Sequence, residues 1–170
     1  MSGLPLQEGL SAPARVVKAY LEAENVEGGL LEDVKSIIPT IKSDQTLDTP
    51  GVWIHEHPTF VEDGKSINLS HTQFMVTIFE FVCVEYDDDP EQAAYKAKNL
   101  ATRVGASIIN NFNEVKSQPD DPDHMFQLVR FSQLIPDGRI EIPGKNDSVP
   151  VAAIIFEFVY PISWMHCTKL

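Results

Sequence analysis

The chain has 170 residues, 43% of them hydrophobic and 22% charged, with 25 acidic against 13 basic side chains and a net charge of −12. That composition builds a folded domain with a core and excludes a disordered chain. The anionic surface repels phosphate backbones, which excludes affinity for free DNA or RNA, though not a surface that nucleic acid passes without sticking.

Two cysteines, Cys83 and Cys167, stand far apart in unlike contexts. They do not make a disulfide framework, so both are expected to be reduced and the chain to be made in a cytosol. The N-terminal Met-Ser-Gly-Leu-Pro-Leu-Gln-Glu has neither the basic segment nor the apolar run of a classical export signal. No stretch nears the roughly 20 apolar residues that span a bilayer. The expected organisation is a flexible arm over residues 1–12 and a single soluble domain over residues 13–170.

Along that domain, Ser11-Ala12-Pro13 offers a cap and an early proline to a first helix over residues 14–25. Val16, Val17, Tyr20, Leu21 and Ala23 form its apolar stripe, and Gly28-Gly29 stops it. Apolar residues at 31, 34, 37 and 38 predict a short helical turn ended by Pro39. Residues 52–57, bounded by Pro50 and Pro58, read as a short strand, and Asp63-Gly64 marks a tight turn beyond it. Residues 74–86 are rich in β-branched and aromatic side chains without glycine or proline, and predict one long strand.

Asp87-Asp88-Asp89-Pro90 ends that strand and opens a long helix. Asp89 is its N-cap, Pro90 its first residue, and Gln92 completes a pattern like a capping box. Ala97, Leu100, Ala101, Val104, Ile108 and Phe112 then keep helical spacing over several turns. A polar loop with Pro119 and Pro122 follows. Residues 125–135 read as a strand, Pro136-Asp137-Gly138-Arg139 as a turn, residues 140–142 as a short strand, and residues 149–160 as a last long strand closed by Pro161. The expected fold class is α+β, a mostly antiparallel sheet of about four main strands with helices packed on one face.

One internal echo stands out. Ile78-Phe79-Glu80-Phe81-Val82 recurs as Ile155-Phe156-Glu157-Phe158-Val159, each copy inside a long predicted strand. Period-2 geometry sends Phe79, Phe81, Phe156 and Phe158 to one face, where they are the candidate core beneath the helices, each contributing about 1.5–3 kcal/mol on burial. Glu80, Glu157, Val82 and Val159 fall on the other face. That face is either solvated, kept soluble by its glutamates, or a surface toward a lumen or a neighbouring subunit.

Catalytic chemistry finds little support. His55 and His57 share one side of a strand at a spacing that can ligate a metal, but the sequence shows no third ligand and a polar edge strand explains them. Asp120-Asp121-Pro122-Asp123-His124 lacks the spacing and central glycine of an EF-hand. The three aspartates at 87–89 are accounted for by helix capping, and His166-Cys167 are too close in sequence to share a preorganised pocket. No phosphate-binding, dinucleotide-binding or nucleophile-elbow motif occurs. Neither catalytic residue, nor metal, nor cofactor is expected. The contrary reading is a small metal-dependent enzyme using His55, His57 and nearby carboxylates.

The order of elements over residues 12–164 resembles the tail terminator, or tail completion, proteins of long-tailed bacteriophages. The likeness rests on Val52-Trp53-Ile54, the amphipathic strand over 74–86, the Asp89-Pro90 helix start and the closing strand over 154–160. The resemblance implies a virion protein of the tail and neck, made in the host cytoplasm. Such a protein forms a ring, usually of six subunits, that caps the tail tube, halts its growth and docks to neck or head-completion proteins. Catalysis is not implied, nor a membrane, and DNA passes through the ring without specific binding. Candidate partner-contact loops are those carrying Glu62, Asp63 and Lys65 and those carrying Asp120, Asp121 and Asp123. Residues 1–48 extend beyond the smaller members of that family. Another head–tail connector, such as a neck or head-closure protein, is the nearest alternative.

Overall fold

A computed structural model describes residues 12–39, 48–61, 72–117, 125–141 and 148–163. In chain order these form α1 (Ala12–Glu22), β1 (Ser36–Pro39), β2 (Gly51–Glu56), β3 (Phe60–Val61), β4 (Thr72–Val84), α2 (Pro90–Lys116), β5 (Leu128–Glu141) and β6 (Ser148–Ser163). The strands make one sheet in the order β1-β2-β4-β6-β5, with two-residue β3 also paired to β4. Every pairing is antiparallel except β1 on β2. Both helices cover one face: α2 lies across β4 and β6, and α1 packs beside it over β1 and β2. The fold is α+β.

The centre of the sheet is the β4–β6 ladder, continuous from Thr72 opposite Ser163 to Val84 opposite Val151. Phe79 faces Phe156, and the two copies of the pentapeptide are related by a local twofold through that pair. Ile78 therefore stands opposite Glu157, and Glu80 opposite Ile155. All four phenylalanines are 2% exposed or less. Phe79 meets Phe158 edge to face at 5.3 Å, and Phe81 meets Phe156 in the twofold-related contact at 6.4 Å. Such geometry sets ring edges against ring faces and adds to the burial of the rings.

Above these rings runs α2, opened as expected by Asp89, whose carboxylate accepts from the Glu91 amide at 3.0 Å. Its buried stripe includes Ala97, Leu100, Ala101, Val104, Gly105, Ile108 and Phe112. Gly105 sits where a Cβ would stand 2.6 Å from Ile154 Cδ1. The absent side chain lets the helix settle directly on the sheet. From α1, Val16, Val17, Tyr20 and Leu21 join the same core.

Several boundaries differ from the sequence expectation. Helix α1 begins at Ala12, inside the expected arm, and ends at Glu22. Beyond it the Asn25 amide donates to the carbonyls of Leu31 (2.5 Å) and Val34 (2.9 Å), and Gly28 takes a φ of +78°. The segment carrying Ile37 and Ile38 is not a helical turn but β1. Its apolar spacing over 31–38 reflects Leu31 and Val34 dropping into the core and two isoleucines joining the sheet. Pro39 is tolerated there because β1 is an edge strand.

The second correction concerns 136–139. Pro136-Asp137-Gly138 does not turn the chain; β5 runs through it, with register shifts between Phe131 and Gln133 and between Ile135 and Gly138. As an edge strand, β5 has room to bulge outward and absorb the proline. Likewise β6 passes Pro161 and continues to Ser163.

Replacing Phe156 by alanine is expected to lower unfolding free energy by about 3–5 kcal/mol, and Gly105→Leu by about 1–3 kcal/mol through overpacking against Ile154. Chemical denaturation with far-UV circular dichroism checks both.

Candidate functional site

The face of the sheet turned away from the helices carries the acidic residues singled out in the sequence. Register puts Glu80 and Glu157 on it together, as the pentapeptide predicts. Their neighbourhood is not bare carboxylate, however. Arg130, directly across from Glu157 on β5, places Nε 2.9 Å from its Oε2. Glu80 lies across from His55 on β2, and its Oε2 is 3.4 Å from His55 Nδ1 and 3.3 Å from His57 Nε2. Each glutamate is thus matched to cationic or imidazole nitrogen.

Of the other two residues proposed for this surface, Val82 is half-buried and packs into a small cluster with Val84, Val149, Val151, Trp53, Ile38 and Ile140. Val159, facing Val76, is 3% exposed and offers no area to a neighbour. The polar part of the face is therefore the strip from the histidines through Glu80 and Glu157 to Arg130. Glu62, Asp63, Lys65, Asp120, Asp121 and Asp123 lie outside the described residues.

His55 and His57 also border a cleft of about 440 Å³ at the sheet's rim, lined besides them by Ala14, Pro39, Ile54, Glu56, Pro58 and Thr59. The segment after β2 is tied to β4 at two points. The His57 amide donates to the Ile78 carbonyl at 2.9 Å, and the Thr59 hydroxyl meets that of buried Thr77 at 2.5 Å. What the sequence did not show is Glu80 as the third member of this group. It is 23 and 25 residues from the two histidines, and only the β2–β4 register brings it there.

Past the C-terminal end of β4 lies a separate group of charges. Arg103 of α2 grips Asp33 with two nitrogens, at 2.5 and 3.1 Å, and donates to the Leu30 carbonyl at 3.0 Å. That guanidinium holds the Asp33 carboxyl below the usual carboxylate range, through hydrogen bonding first. Glu85, close by, is pushed upward by burial and then by the Asp33 charge. Asp87 is lowered by the Lys96 ammonium 2.7 Å away, a pair that ties the strand-to-helix corner. The Cys83 thiol, fully buried, is pushed up by desolvation.

The third surface feature is β5. Its outer edge has no partner strand among the described residues. On the helix-side face, Phe131 and Leu134 extend past the cover of α2 and are 59% and 39% exposed. Phe131 touches Phe156 edge to face at 5.8 Å, so the exposed ring continues the core outward. Leu128 near the start of the strand is 40% exposed.

No family model matches this sequence, and a search of curated proteins returns no match. Among the described residues no helix is long and apolar enough to cross a membrane.

The Asp33–Arg103 pair has a pH signature. Its contribution is fully present above the unfolded carboxyl value near 3.9 and is lost as pH falls through the lower folded value. Asp33→Asn is expected to lower the Tm at neutral pH, with the gap from the parent chain closing below about pH 4. Thermal melts between pH 3 and pH 7, monitored by circular dichroism, read this directly.

Proposed function

We propose that the chain is a structural subunit of a phage head–tail junction, a tail-terminator-like protein that acts by assembling with copies of itself into a ring. The observation that carries this reading is β5. Although Pro136, charged residues and two bulges blunt this edge strand, Phe131, Leu134 and Leu128 remain exposed on it, apolar side chains suited to association. A closed ring buries such an edge in every copy by the same heterologous contact, whereas an open chain of contacts would grow into fibres.

Three further features support the reading. The α+β fold, with its central long antiparallel strands and helices on one face, is the architecture that the resemblance to tail terminators implies. A shared fold by itself carries no function. The net charge of −12 suits a channel that DNA passes without being held. Finally, the two carboxyls held below their ordinary range, Asp33 and Asp87, are paired with Arg103 and Lys96 of α2. The role assigned is therefore assembly and docking, to tail tube protein on one side and a neck or head-completion protein on the other, without catalysis. A neck or head-closure component would share the ring and differ in its partner.

Multi-angle light scattering and electron microscopy of the purified chain are expected to show a defined ring, formed alone or on addition of tail tube protein. The double substitution Phe131→Lys with Leu134→Lys should yield folded monomers, because both side chains are already exposed and the lysines place like charges in the contact. A parent chain that stays monomeric at micromolar and higher concentrations, with and without tail tube protein, overturns the proposal.

A further inference from the structure

The structure assigns to His55, His57 and Glu80 a binding site for a divalent transition-metal ion, zinc above all, with two imidazole nitrogens and one carboxylate oxygen as ligands. This goes beyond the assembly reading and holds for a monomer or a ring alike.

The ligand atoms of the three side chains lie within 4.8 Å of one another. Two strands deliver them. Alternation along β2 puts His55 and His57 on the same side, their ring centroids 4.5 Å apart, and the antiparallel register sets Glu80 of β4 directly across from His55. The backbone that carries them is fixed before any ion arrives. The His57 amide extends the β2–β4 ladder by its bond to Ile78, and Thr59 is tied to buried Thr77. A site built on paired strands, with the following segment tied to β4 at two points, is preorganised in the sense that metal affinity requires.

The distances fit a ligand set as well as they fit long hydrogen bonds. Charge-assisted N–H···O bonds settle at about 2.7–2.9 Å. Here both nitrogens stand off the same Glu80 oxygen, at 3.3 and 3.4 Å. Around zinc, with ligand distances of about 2.0–2.1 Å and tetrahedral angles, neighbouring ligand atoms are separated by about 3.4 Å. Two edges of the tetrahedron are therefore already at length, and the ligand atoms of the two imidazoles lie within 4.8 Å of each other. Two imidazoles with one carboxylate suit zinc, nickel and copper, and are poor ligands for magnesium and calcium, which take oxygen almost exclusively.

Exposure completes the case. His55 is half exposed, with 50% of its side chain accessible, so an ion can enter from solvent. The same exposure leaves a fourth position open to water. The ion would sew the end of β2 to the centre of the sheet and neutralise Glu80 among its apolar neighbours Ile78 and Ile155.

The test uses the full chain, stripped of metal and free of any affinity tag. Titration with Zn²⁺ alone by calorimetry is expected to show one equivalent bound, and Co²⁺ in its place should give the strong visible absorption of a tetrahedral site. His57→Ala and Glu80→Gln should each weaken zinc at least about tenfold and abolish the tetrahedral cobalt spectrum, while circular dichroism of the metal-free variants stays unchanged. Mg²⁺ should produce no heat at the same concentrations. Absence of stoichiometric zinc binding overturns the assignment, and so does binding that both substitutions leave intact, since the ion would then be held elsewhere in the chain.

Discussion

The structure depends on the pairing of β4 with β6 in the register that sets Phe79 against Phe156. Because that pair lies on a local twofold, one alignment places all four phenylalanines beneath α2 and both glutamates on the far side. A slip of one residue would send the rings to the other face and the carboxylates under the helix, where they would be desolvated without partners. The helix layer adds to this constraint. Gly105 allows α2 to settle close to Ile154 and Phe156, on the same strand that sets the register.

The elements legible in the sequence were those whose signal is local and long. Residues 72–84 and 148–163 are β-rich over several turns of alternation, and Asp89-Pro90 followed by a helical stripe leaves little choice about α2. The phenylalanine core followed from period-2 geometry alone. Failures came where non-local pairing decides. Four residues at 36–39 carry too little pattern to announce a strand, and they become one only because β2 offers a parallel partner. Pro136-Asp137-Gly138 has turn chemistry, yet the ladder to β6 resumes beyond it at Gly138 opposite Val151, and the extra residues are spent as bulges.

The far face of the sheet was legible in composition but not in connectivity. Its glutamates could be assigned to one side from the pentapeptide. Their partners could not, since Arg130 and the two histidines arrive from neighbouring strands whose register no local pattern encodes. The consequence is a face less anionic than its sequence suggests. Arg130 offsets the charge of Glu157, so most of the net charge of −12 is carried elsewhere on the surface.

The twofold relation between the two pentapeptides also bears on how the chain reaches this state. Ile-Phe-Glu-Phe-Val is its own antiparallel complement: each glutamate falls beside the isoleucine of the opposite copy, and the rings meet on one side. During synthesis the first copy emerges long before the second, and in that interval its best available match is the same segment of another nascent chain. The motif that secures the finished sheet is therefore also a route to strand exchange between molecules, favoured by crowded polysomes and countered by dilution or by a chaperone that shields β4 until β6 has been made.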